Sequence, residues 1–294
     1  MNKSFTLIEI LVVIVVIGIL SSFILIGMSS ITQSANIAKS KTFSDSLRNS
    51  LLNNIVSEWK LDGNTNDSWG DNNGTWSGPA GAYTSPSWRT SSECVSNGCL
   101  AFDGTDDYIS VAHNANLNLT NSMTISFWSK GLFSGGTSGG LINKGNSGFA
   151  INVNYYIFSN SSTMRFFIGN GVSSNSATSV ILLDNQWYYF VFVLDTSELI
   201  SYTNSIKKTP TTSRTINPVA NNETFKIGVL TDSPGNPFNG LIDDVRIYNA
   251  AIPTSQIEQN YFLGLNKLYK NRGLSKIEYR QRLSELKSNL AAHE

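Results

Sequence analysis

The sequence predicts a mostly β protein that begins with a long N-terminal helix and ends with a short helical hairpin. Three observations support this fold class. Residues 5–56 contain an apolar run followed by apolar residues at helical spacing. About a dozen short β-type runs separated by turn residues follow in residues 57–263, and residues 264–294 return to a helical pattern. Because no helical pattern interrupts the β-type runs, they favour an antiparallel sandwich or barrel.

The N-terminal segment contains an unusual charged residue, Glu9. No charge occurs from Ile10 to Leu20, and the apolar run continues with small interruptions to about Ile31. Such a run is long enough to span a bilayer, which needs roughly 20 apolar residues. A carboxylate inside the membrane costs on the order of 2.5–3.5 kcal/mol on insertion scales, so Glu9 is expected to have a function.

The segment around Glu9, Phe5-Thr6-Leu7-Ile8-Glu9, resembles the prepilins of type IV pili and the related pseudopilins. The resemblance implies that residues 1–4 are a leader removed by prepilin peptidase and that Phe5 becomes an N-methylated terminus. It also implies that Glu9 attracts the amino terminus of a neighbouring pilin subunit during filament assembly. The chain departs from the family at Ser4, where a glycine usually precedes the cleavage site.

Two other interpretations of this segment compete with the prepilin interpretation. A general secretory signal has an apolar region of roughly 7–15 residues and an A-x-A-like cleavage site. The stretch here is longer, contains Glu9 and ends in Ser21-Ser22 without that pattern. A plain membrane anchor explains the length of the run but explains neither Glu9 nor the short basic leader.

Residues 5–56 are predicted to form one helix. Apolar residues recur at three- and four-residue steps from Ile31 to Ile55, and no proline occurs before Pro79. At 1.5 Å per residue, such a helix would extend roughly 75–80 Å. The resemblance to pilins implies a helix that lies half in a filament and half against a head.

The formal charge of zero is unevenly distributed. Residues 1–56 carry four Lys/Arg and two Asp/Glu, residues 57–263 carry ten and sixteen, and residues 264–294 carry seven and three, which gives +2, −6 and +4. The acidic middle argues against a general basic surface for nucleic acid, so no nucleic-acid partner is expected.

Two β-type runs stand out within residues 57–263. The run Trp187–Leu194 is apolar on both faces, which suits a central strand that is covered on each side. The apolar residues at Thr178–Leu182 also predict a strand.

Four segments of the β region occur in a specific order. They are Trp59–Gly63 (WKLDG), Ala101–Ile109 (AFDGTDDYI), Met123–Trp128 (MTISFW) and Gly240–Tyr248 (GLIDDVRIY). Together they resemble the laminin-G-like, concanavalin-type jelly roll domain, which implies an antiparallel jelly roll β-sandwich head over residues 57–263. In that family the first and last strands pair, so Trp59 and Ile247 are expected to be near neighbours.

The C-terminal tail, residues 264–294, is predicted to form two short helices separated at Gly273. Ser275-x-x-Glu278 has the spacing of a capping box at the start of the second helix. The apolar face of that helix is predicted to contain Leu283, Leu286 and Leu290.

Oxygen-bearing side chains in the jelly roll region predict one calcium ion. Calcium takes 6–8 oxygen ligands, and acidic and amide residues crowd the loop after Trp59 and the last strand. Members of the resembled family often hold calcium where the terminal strands meet. The predicted ligands are the side chains of Asp67, Asn72 and Asp243 and the carbonyl of Thr75. The alternative is that these residues form turns and strand-end hydrogen bonds.

The two cysteines, Cys94 and Cys99, are predicted to form a disulfide. Both lie in the part of the chain predicted to be exported, where paired cysteines are usually oxidised. A metal pair is disfavoured because the histidines, His113 and His293, have no ligands at metal spacing.

An aromatic cluster offers a possible contact with glycans. Trp69, Trp76, Tyr83 and Trp88 lie in a stretch rich in loop-forming residues, where exposed rings could stack on sugars. The competing interpretation, burial in the domain core, is the commoner use of aromatic residues.

The sequence gives little support for an enzyme. Glycosidases of this fold class use acidic pairs roughly 5–9.5 Å apart, and no closely spaced acidic run occurs here. Asp243 and Asp244 are adjacent, so on a regular strand they would point to opposite faces. The glutamates of the head are isolated from one another, namely Glu58, Glu93, Glu198, Glu223 and Glu258.

Taken together, these features predict a pilin-like subunit of a type IV pilus or related filament. It would be inserted in the cytoplasmic membrane, then assemble into an extracellular filament through its N-terminal helix. The head would display loops for adhesion to an extracellular glycan or protein. The alternative is a membrane-anchored carbohydrate-binding module that does not polymerise.

Overall fold

The computed structural model describes residues 54–77, 87–133, 139–145, 153–230 and 235–292. These residues belong to one compact unit that begins at Asn54. The predicted N-terminal helix, with the leader and Glu9, lies outside the described residues. Among the residues described, no helix is both long enough and apolar enough to cross a membrane.

The head is built from two antiparallel sheets. Sheet A has nine strands, of which seven follow the order β13-β12-β11-β6-β16-β4-β3, while β1 pairs with β16 and β14 pairs with β12. Its strands are β1 (Ile55–Trp59), β3 (Ser87–Thr90), β4 (Gly98–Asp103), β6 (Met123–Gly131), β11 (Tyr188–Leu194), β12 (Glu198–Thr203), β13 (Ile206–Lys207), β14 (Thr212–Ser213) and β16 (Asn239–Tyr248).

Sheet B has seven strands in the order β10-β9-β8-β7-β15-β5-β2. Its strands are β2 (Gly74–Ser77), β5 (Tyr108–Val111), β7 (Gly139–Gly145), β8 (Val153–Asn160), β9 (Thr163–Gly169), β10 (Ser174–Thr178) and β15 (Phe225–Ile227). A single 3-10 turn, Ala115–Leu117, lies among the described residues between β5 and β6. The result is the predicted jelly roll β-sandwich.

The hydrophobic core lies between the two sheets and is dominated by aromatic rings. Trp59 of sheet A stacks on Phe225 of sheet B with ring centroids 4.9 Å apart, and Phe192 of sheet A meets Phe166 of sheet B at 5.5 Å. All four side chains are fully buried. Ring contacts between opposite sheets therefore hold the sandwich together, since each buried ring removes a large apolar area from water.

The predicted pairing of the first and last strands is confirmed. Strand β1 runs antiparallel to β16, with Trp59 opposite Val245 and Ser57 opposite Ile247. On the edge of β16 that pairs with β1, the N-terminal residues Asn239–Ile242 pair with β4. The opposite edge of β16 pairs with β6. Strand β16 is thus bonded along both edges and is a central strand of sheet A.

The outer face of sheet A is covered by helix α1, Thr254–Lys270. Trp128 on β6 stacks against Tyr261 of α1 with centroids 5.7 Å apart, and it also contacts Tyr189 on β11 at 5.2 Å. This cover explains why the run Trp187–Leu194 is apolar on both faces. Phe190 and its alternate neighbours face the core, and Tyr189 faces the helix.

Gly264 allows α1 to approach the sheet closely. A Cβ atom at this position would lie 2.4 Å from Cζ2 of Trp128. The helical tail was predicted to start at Gly264, but α1 begins at Thr254 and Gly264 lies in its interior. A glycine in mid-helix is unfavourable by propensity, and here the close contact with the indole ring accounts for it.

Helix α2, Lys276–Ala292, packs back against α1 and completes the predicted hairpin. Tyr269 and Tyr279 stack across the two helices at 4.3 Å, and the Ser275 hydroxyl accepts a hydrogen bond from the Glu278 amide as the capping pattern predicted. On the predicted apolar face, Leu286 is buried, Leu283 is half-buried and Leu290 is exposed.

One predicted strand is wrong. Strand β10 ends at Thr178, so the apolar residues that follow lie in a connection rather than in the predicted strand Thr178–Leu182. In this connection Leu182 is buried while Val180 and Ile181 are exposed. The apolar composition was therefore misleading, because most of these side chains do not pack into a sheet.

The contact between Gly264 and Trp128 yields a stability prediction. Gly264→Ala is expected to lower the free energy of unfolding of residues 54–294 by about 1–3 kcal/mol, the usual cost of overpacking. An exposed helix position would instead gain up to about 1 kcal/mol from the same change. Urea unfolding measures the difference in unfolding free energy between Gly264→Ala and the wild type.

Ser255→Ala is the matched control, because Ser255 is exposed in the first turn of the same helix. This variant is expected to leave stability nearly unchanged. A Gly264→Ala protein that is as stable as the wild type would contradict the close packing of α1 on the sheet.

Candidate functional site

The loop that follows β1, residues 62–73, is organised by the carboxylate of Asp67. One oxygen, Oδ1, accepts hydrogen bonds from the amides of Glu58 (2.9 Å) and Trp69 (3.0 Å), and Oδ2 accepts one from the amide of Asn72 (3.2 Å). Asp67 therefore acts as a turn-forming residue that ties the loop to the edge of β1.

Asn72 lies at the inner end of this loop. Its carbonyl accepts a hydrogen bond from the Trp59 indole at 2.9 Å, and its Nδ2 donates to the Ser57 hydroxyl at 2.6 Å. Its Oδ1 is buried without a hydrogen-bond partner among the described atoms. Since Trp59 belongs to the core cluster, Asn72 lies on the core side of sheet A.

The predicted aromatic cluster is divided by burial. Trp69 exposes 44% of its surface, whereas Trp76 and Trp88 are partly buried and pack against the core. Tyr83 lies outside the described residues. Among the cluster members that the structure describes, Trp69 is thus the one with a ring free to meet a ligand.

Ser68, the residue before Trp69 in the chain, belongs to a cluster of polar and charged groups. The Ser68 hydroxyl donates to Oε2 of Glu58 at 2.7 Å, and Nε of Arg246 donates to Oε1 of the same carboxylate at 2.7 Å. Lys60 adds a second cation, 3.7 Å from Glu58. Burial raises the pKa of Glu58, but the attraction of Arg246 and the hydrogen bonds outweigh it, so the pKa lies below its usual value.

These groups make the Trp69 loop a candidate binding surface. An exposed indole offers an apolar face, and the neighbouring hydroxyl, carboxylate and ammonium groups offer donors and acceptors around it. That combination is suited to polyhydroxylated ligands, which need both stacking and hydrogen bonds.

The predicted disulfide is confirmed and forms a second polar cluster. Cys94 and Cys99 are bonded with a Cα–Cα distance of 5.4 Å. We refer to Cys94–Cys99 as the disulfide loop. Asp62 accepts hydrogen bonds from the Gly98 amide (2.8 Å) and the Asn97 side chain (3.0 Å), which fixes one end of this loop.

Asp243 fixes the other end of the disulfide loop from the outer face of sheet A. Its Oδ2 accepts hydrogen bonds from the amides of Val95 (2.9 Å) and Ser96 (3.0 Å). Asn271, the residue after α1, donates to the Ser96 carbonyl at 2.6 Å. The disulfide loop therefore connects β16 to the helical hairpin through hydrogen bonds.

The carboxyl of Asp243 is fully buried, and this changes its acidity. Burial raises its pKa well above the usual value, and repulsion from Asp244 and Asp62 adds to the rise, while the amides of Ser96 and Val95 oppose it. Its Oδ1 has no hydrogen-bond partner among the described atoms.

The prediction that Asp243 and Asp244 point to opposite faces of the sheet is wrong. Asp244 has a φ of 50° within a bulge of β16, and its carboxylate lies 3.6 Å from Nη2 of Arg246 and 4.0 Å from Nζ of Lys267 on α1. The bulge breaks the alternation of the strand, so both carboxylates lie on the outer side of sheet A. Asp243 is bonded to amides, and Asp244 lies near two cations.

The structure brings two of the four predicted calcium ligands together, because the Asn72 amide donates to Oδ2 of Asp67 at 3.2 Å. Thr75 lies on β2 of sheet B. Asp243 lies opposite Trp128 on the outer face of sheet A. The carboxylate of Asp243 binds the amides of Val95 and Ser96, and calcium binding by the four predicted ligands stays a prediction.

A group of carboxylates that the sequence analysis missed lies in the loop between β4 and β5. Oxygens of Asp103, Asp106 and Asp107 lie within 4.8 Å of one another, which makes this the group of described residues that could hold a cation. Burial raises the pKa of Asp107, and Asp103 and Asp106 add repulsion. The spacing D-x-x-D-D was the signal that could have identified it.

Two family comparisons match the chain. Residues 103–258 match the concanavalin A-like lectin/glucanases superfamily. The chain belongs to this superfamily. Residues 1–25 match the prokaryotic N-terminal methylation motif, which contains the predicted processing and assembly residues Ser4, Phe5 and Glu9. No curated protein matches the chain.

Solved structures share the fold of the head. Domain 4 of an extracellular arabinanase from Geobacillus stearothermophilus, in complex with arabinotriose, is 20% identical with a TM-score of 0.55, over 72% of this chain and 98% of that domain. The botulinum neurotoxin serotype D ligand binding domain, in complex with N-acetylneuraminic acid, is 14% identical with a TM-score of 0.56 over 74% of this chain.

The binding domain of Paraclostridial Mosquitocidal Protein 1 is 18% identical, with a TM-score of 0.56 over 74% of this chain. The match covers 53% of that domain and 53% of the neurotoxin domain, so the concanavalin A-like head spans about half the length of these two relatives.

The raised pKa of Asp243 predicts a pH dependence of stability. Because the folded-state pKa exceeds the unfolded value of about 3.9, the contribution of this group to stability is complete below that value and is lost as the pH rises through the folded pKa. Asp243→Asn carries no charge, so its unfolding free energy relative to the wild type is expected to increase as the pH rises from 3 to 8.

Urea unfolding of residues 54–294 from pH 3 to 8 measures the difference in unfolding free energy between Asp243→Asn and the wild type. Asp71→Asn is the control, because Asp71 is exposed and is expected to give a flat difference. A flat profile for Asp243→Asn as well would contradict a raised pKa at Asp243.

Proposed function

We propose that the protein is a type IV pilin-like subunit whose concanavalin A-like head binds a glycan. The observation that carries the filament role is the match of residues 1–25 to the prokaryotic N-terminal methylation motif. The motif includes Glu9 at the head of an otherwise uncharged apolar run. Prepilin peptidase would cleave between Ser4 and Phe5 at the cytoplasmic side of the membrane.

Glu9 would act in filament assembly by electrostatic attraction. Cleavage creates a positively charged amine at Phe5, and an apolar helix bundle leaves a carboxylate costly unless a cation neutralises it. The Phe5 amine of one subunit would pair with Glu9 of its neighbour. Repetition of this head-to-tail contact does not close, so it would generate a helical filament of like or related subunits.

The head would act as the binding part of the filament, outside the cell. The exposed Trp69 ring and the polar groups beside it support glycan binding. The arabinanase and neurotoxin domains that share the fold were solved with arabinotriose and N-acetylneuraminic acid, which agrees with a carbohydrate ligand. We propose that this head is a binding domain without catalytic activity.

A membrane-anchored carbohydrate-binding module that never polymerises is the second candidate. The same Trp69 surface favours it, because that surface needs no filament to bind a sugar. The two candidates differ in the role of Glu9, which matters for assembly only in the pilin.

The N-terminal segment gives the decisive prediction. Intact-mass analysis of the exported protein is expected to show loss of residues 1–4 and one methyl group on Phe5. Glu9→Ala is expected to enter the membrane normally but to be lost from sheared filaments, because the Phe5 amine of the neighbour then lacks its partner.

Asp45→Ala is the matched control, since it removes a carboxylate outside the apolar run. It is expected to assemble like the wild type. Cleavage after about Ser22 would remove most of the apolar run and would exclude both candidates. Normal assembly of Glu9→Ala would contradict the assembly role of Glu9, and absence of the wild-type protein from sheared filaments would leave the anchored module.

The glycan surface gives a separate prediction. Trp69→Ala in residues 54–294 is expected to weaken binding to whichever glycan the wild type selects on an array by about tenfold, which corresponds to about 1.4 kcal/mol of lost stacking. Phe262→Ala is the control, because Phe262 is an aromatic residue of similar exposure, 39%, on α1. An array without signal for the wild type would contradict a glycan ligand.

A further inference from the structure

Sheet B contains a lysine, Lys144, whose side chain is buried although packing of the sheet does not need a charged residue there. Lys144 on β7 is fully buried, although lysine is among the residues least often buried. Its cross-strand neighbours are Tyr155 on β8 and Phe225 on β15, both fully buried members of the core cluster. The side chain of Lys144 therefore starts from the core face of sheet B, between two aromatic residues.

The amine lies against the side-chain amide of Asn221. Nζ is 2.9 Å from Oδ1 of Asn221, 2.5 Å from the Glu223 carbonyl and 3.4 Å from Nδ1 of His113. Burial lowers the pKa of Lys144 to about 8, with Glu223 opposing the change and Lys226 adding to it. A larger fraction of this amine is uncharged near neutral pH than for an exposed lysine, and the uncharged form is a nucleophile.

The carboxamide of Asn221 is held in place and polarised. Its Nδ2 donates to the Lys144 carbonyl at 3.1 Å, and its Oδ1 accepts a hydrogen bond from the Glu223 amide at 3.1 Å. The main chain of Asn221 is fixed by two hydrogen bonds to the Asn118 side chain. A donor at Oδ1 stabilises negative charge there, as an oxyanion hole does during acyl transfer.

We propose that Lys144 and Asn221 join in an intramolecular amide bond. Nζ of Lys144 attacks Cγ of Asn221, the Nζ–Cγ bond forms, and the Cγ–Nδ2 bond breaks. His113 Nδ1 accepts the proton that Nζ gives up and passes it to the leaving nitrogen, which departs as ammonia. The reaction is a transamidation, so it needs no oxidant, reductant or other reactant.

The bond would connect β7 covalently to the segment that leads into β15. Those two strands are already paired in sheet B, with Lys144 opposite Phe225. The cross-link would therefore close a loop of the chain without changing the strand order, and it would limit separation of β7 from β15 when the head unfolds.

Mass spectrometry of the full-length protein, purified in detergent after export, tests this directly. The intact mass is expected to be lower by one ammonia than the mass of the processed chain with its disulfide. A protease digest is expected to contain a branched peptide that joins the Lys144 and Asn221 fragments. A wild-type mass without the loss, or a digest without the branched peptide, would overturn the proposal.

Lys144→Arg distinguishes the bond from loss of ammonia elsewhere, such as succinimide formation at an Asn-Gly step. The guanidinium keeps the positive charge but does not acylate, so this variant is expected to retain the full mass. If the loss persists in Lys144→Arg, the proposal fails. If this variant does not fold, the branched peptide in the wild type alone decides.

His113→Ala tests the proposed proton transfer. The exposed imidazole is not part of the core. Its removal is expected to slow the appearance of the mass loss in newly synthesised protein, followed by pulse-chase labelling, while leaving the far-UV circular dichroism unchanged. An unchanged rate would exclude His113 from the reaction.

Discussion

The outer face of sheet A must be covered, and much of the rest of the head follows from that requirement. Trp128 and Tyr189 point outward from neighbouring central strands, and two large aromatic side chains side by side are costly to leave in water. Helix α1 provides the cover, and Gly264 lets it approach to ring-contact distance. The helical hairpin is thus a third layer of the sandwich rather than an appended tail.

That third layer also explains the buried polar groups beneath it. Asp243 lies on the covered face, so its carboxyl must find hydrogen-bond donors inside the protein. The disulfide loop supplies two amides, and Asn271 at the end of α1 binds the carbonyls of the same loop. One short disulfide-bonded loop therefore provides hydrogen-bond partners both for Asp243 of the sheet and for Asn271 at the end of the helix.

The sandwich class and the terminal pairing could be predicted because they depend on patterns spread over the whole chain. Residues around Trp59 and Ile247 carried enough family-specific pattern to place β1 beside β16. The start of α1 could not be predicted, because Gly264 looks like a helix boundary unless its contact with Trp128 is known. The contacts of Asp243 were also hidden, because its partners are backbone amides almost 150 residues earlier. The Trp69 loop was predicted as part of a cluster of aromatic residues, but only burial in the structure distinguishes Trp69 from Trp76 and Trp88.

The short distance in sequence between β1 and Trp69 has a mechanical consequence. The loop that carries Trp69 is bonded to β1 through Asp67 and Ser68, and β1 is also the first strand after residue 53 in the sequence. Tension between a ligand held at Trp69 and the N-terminal chain would run through β1 and its hydrogen bonds. Most strands of the sandwich would lie outside that load path, so the head could bear a pull without its core being drawn apart.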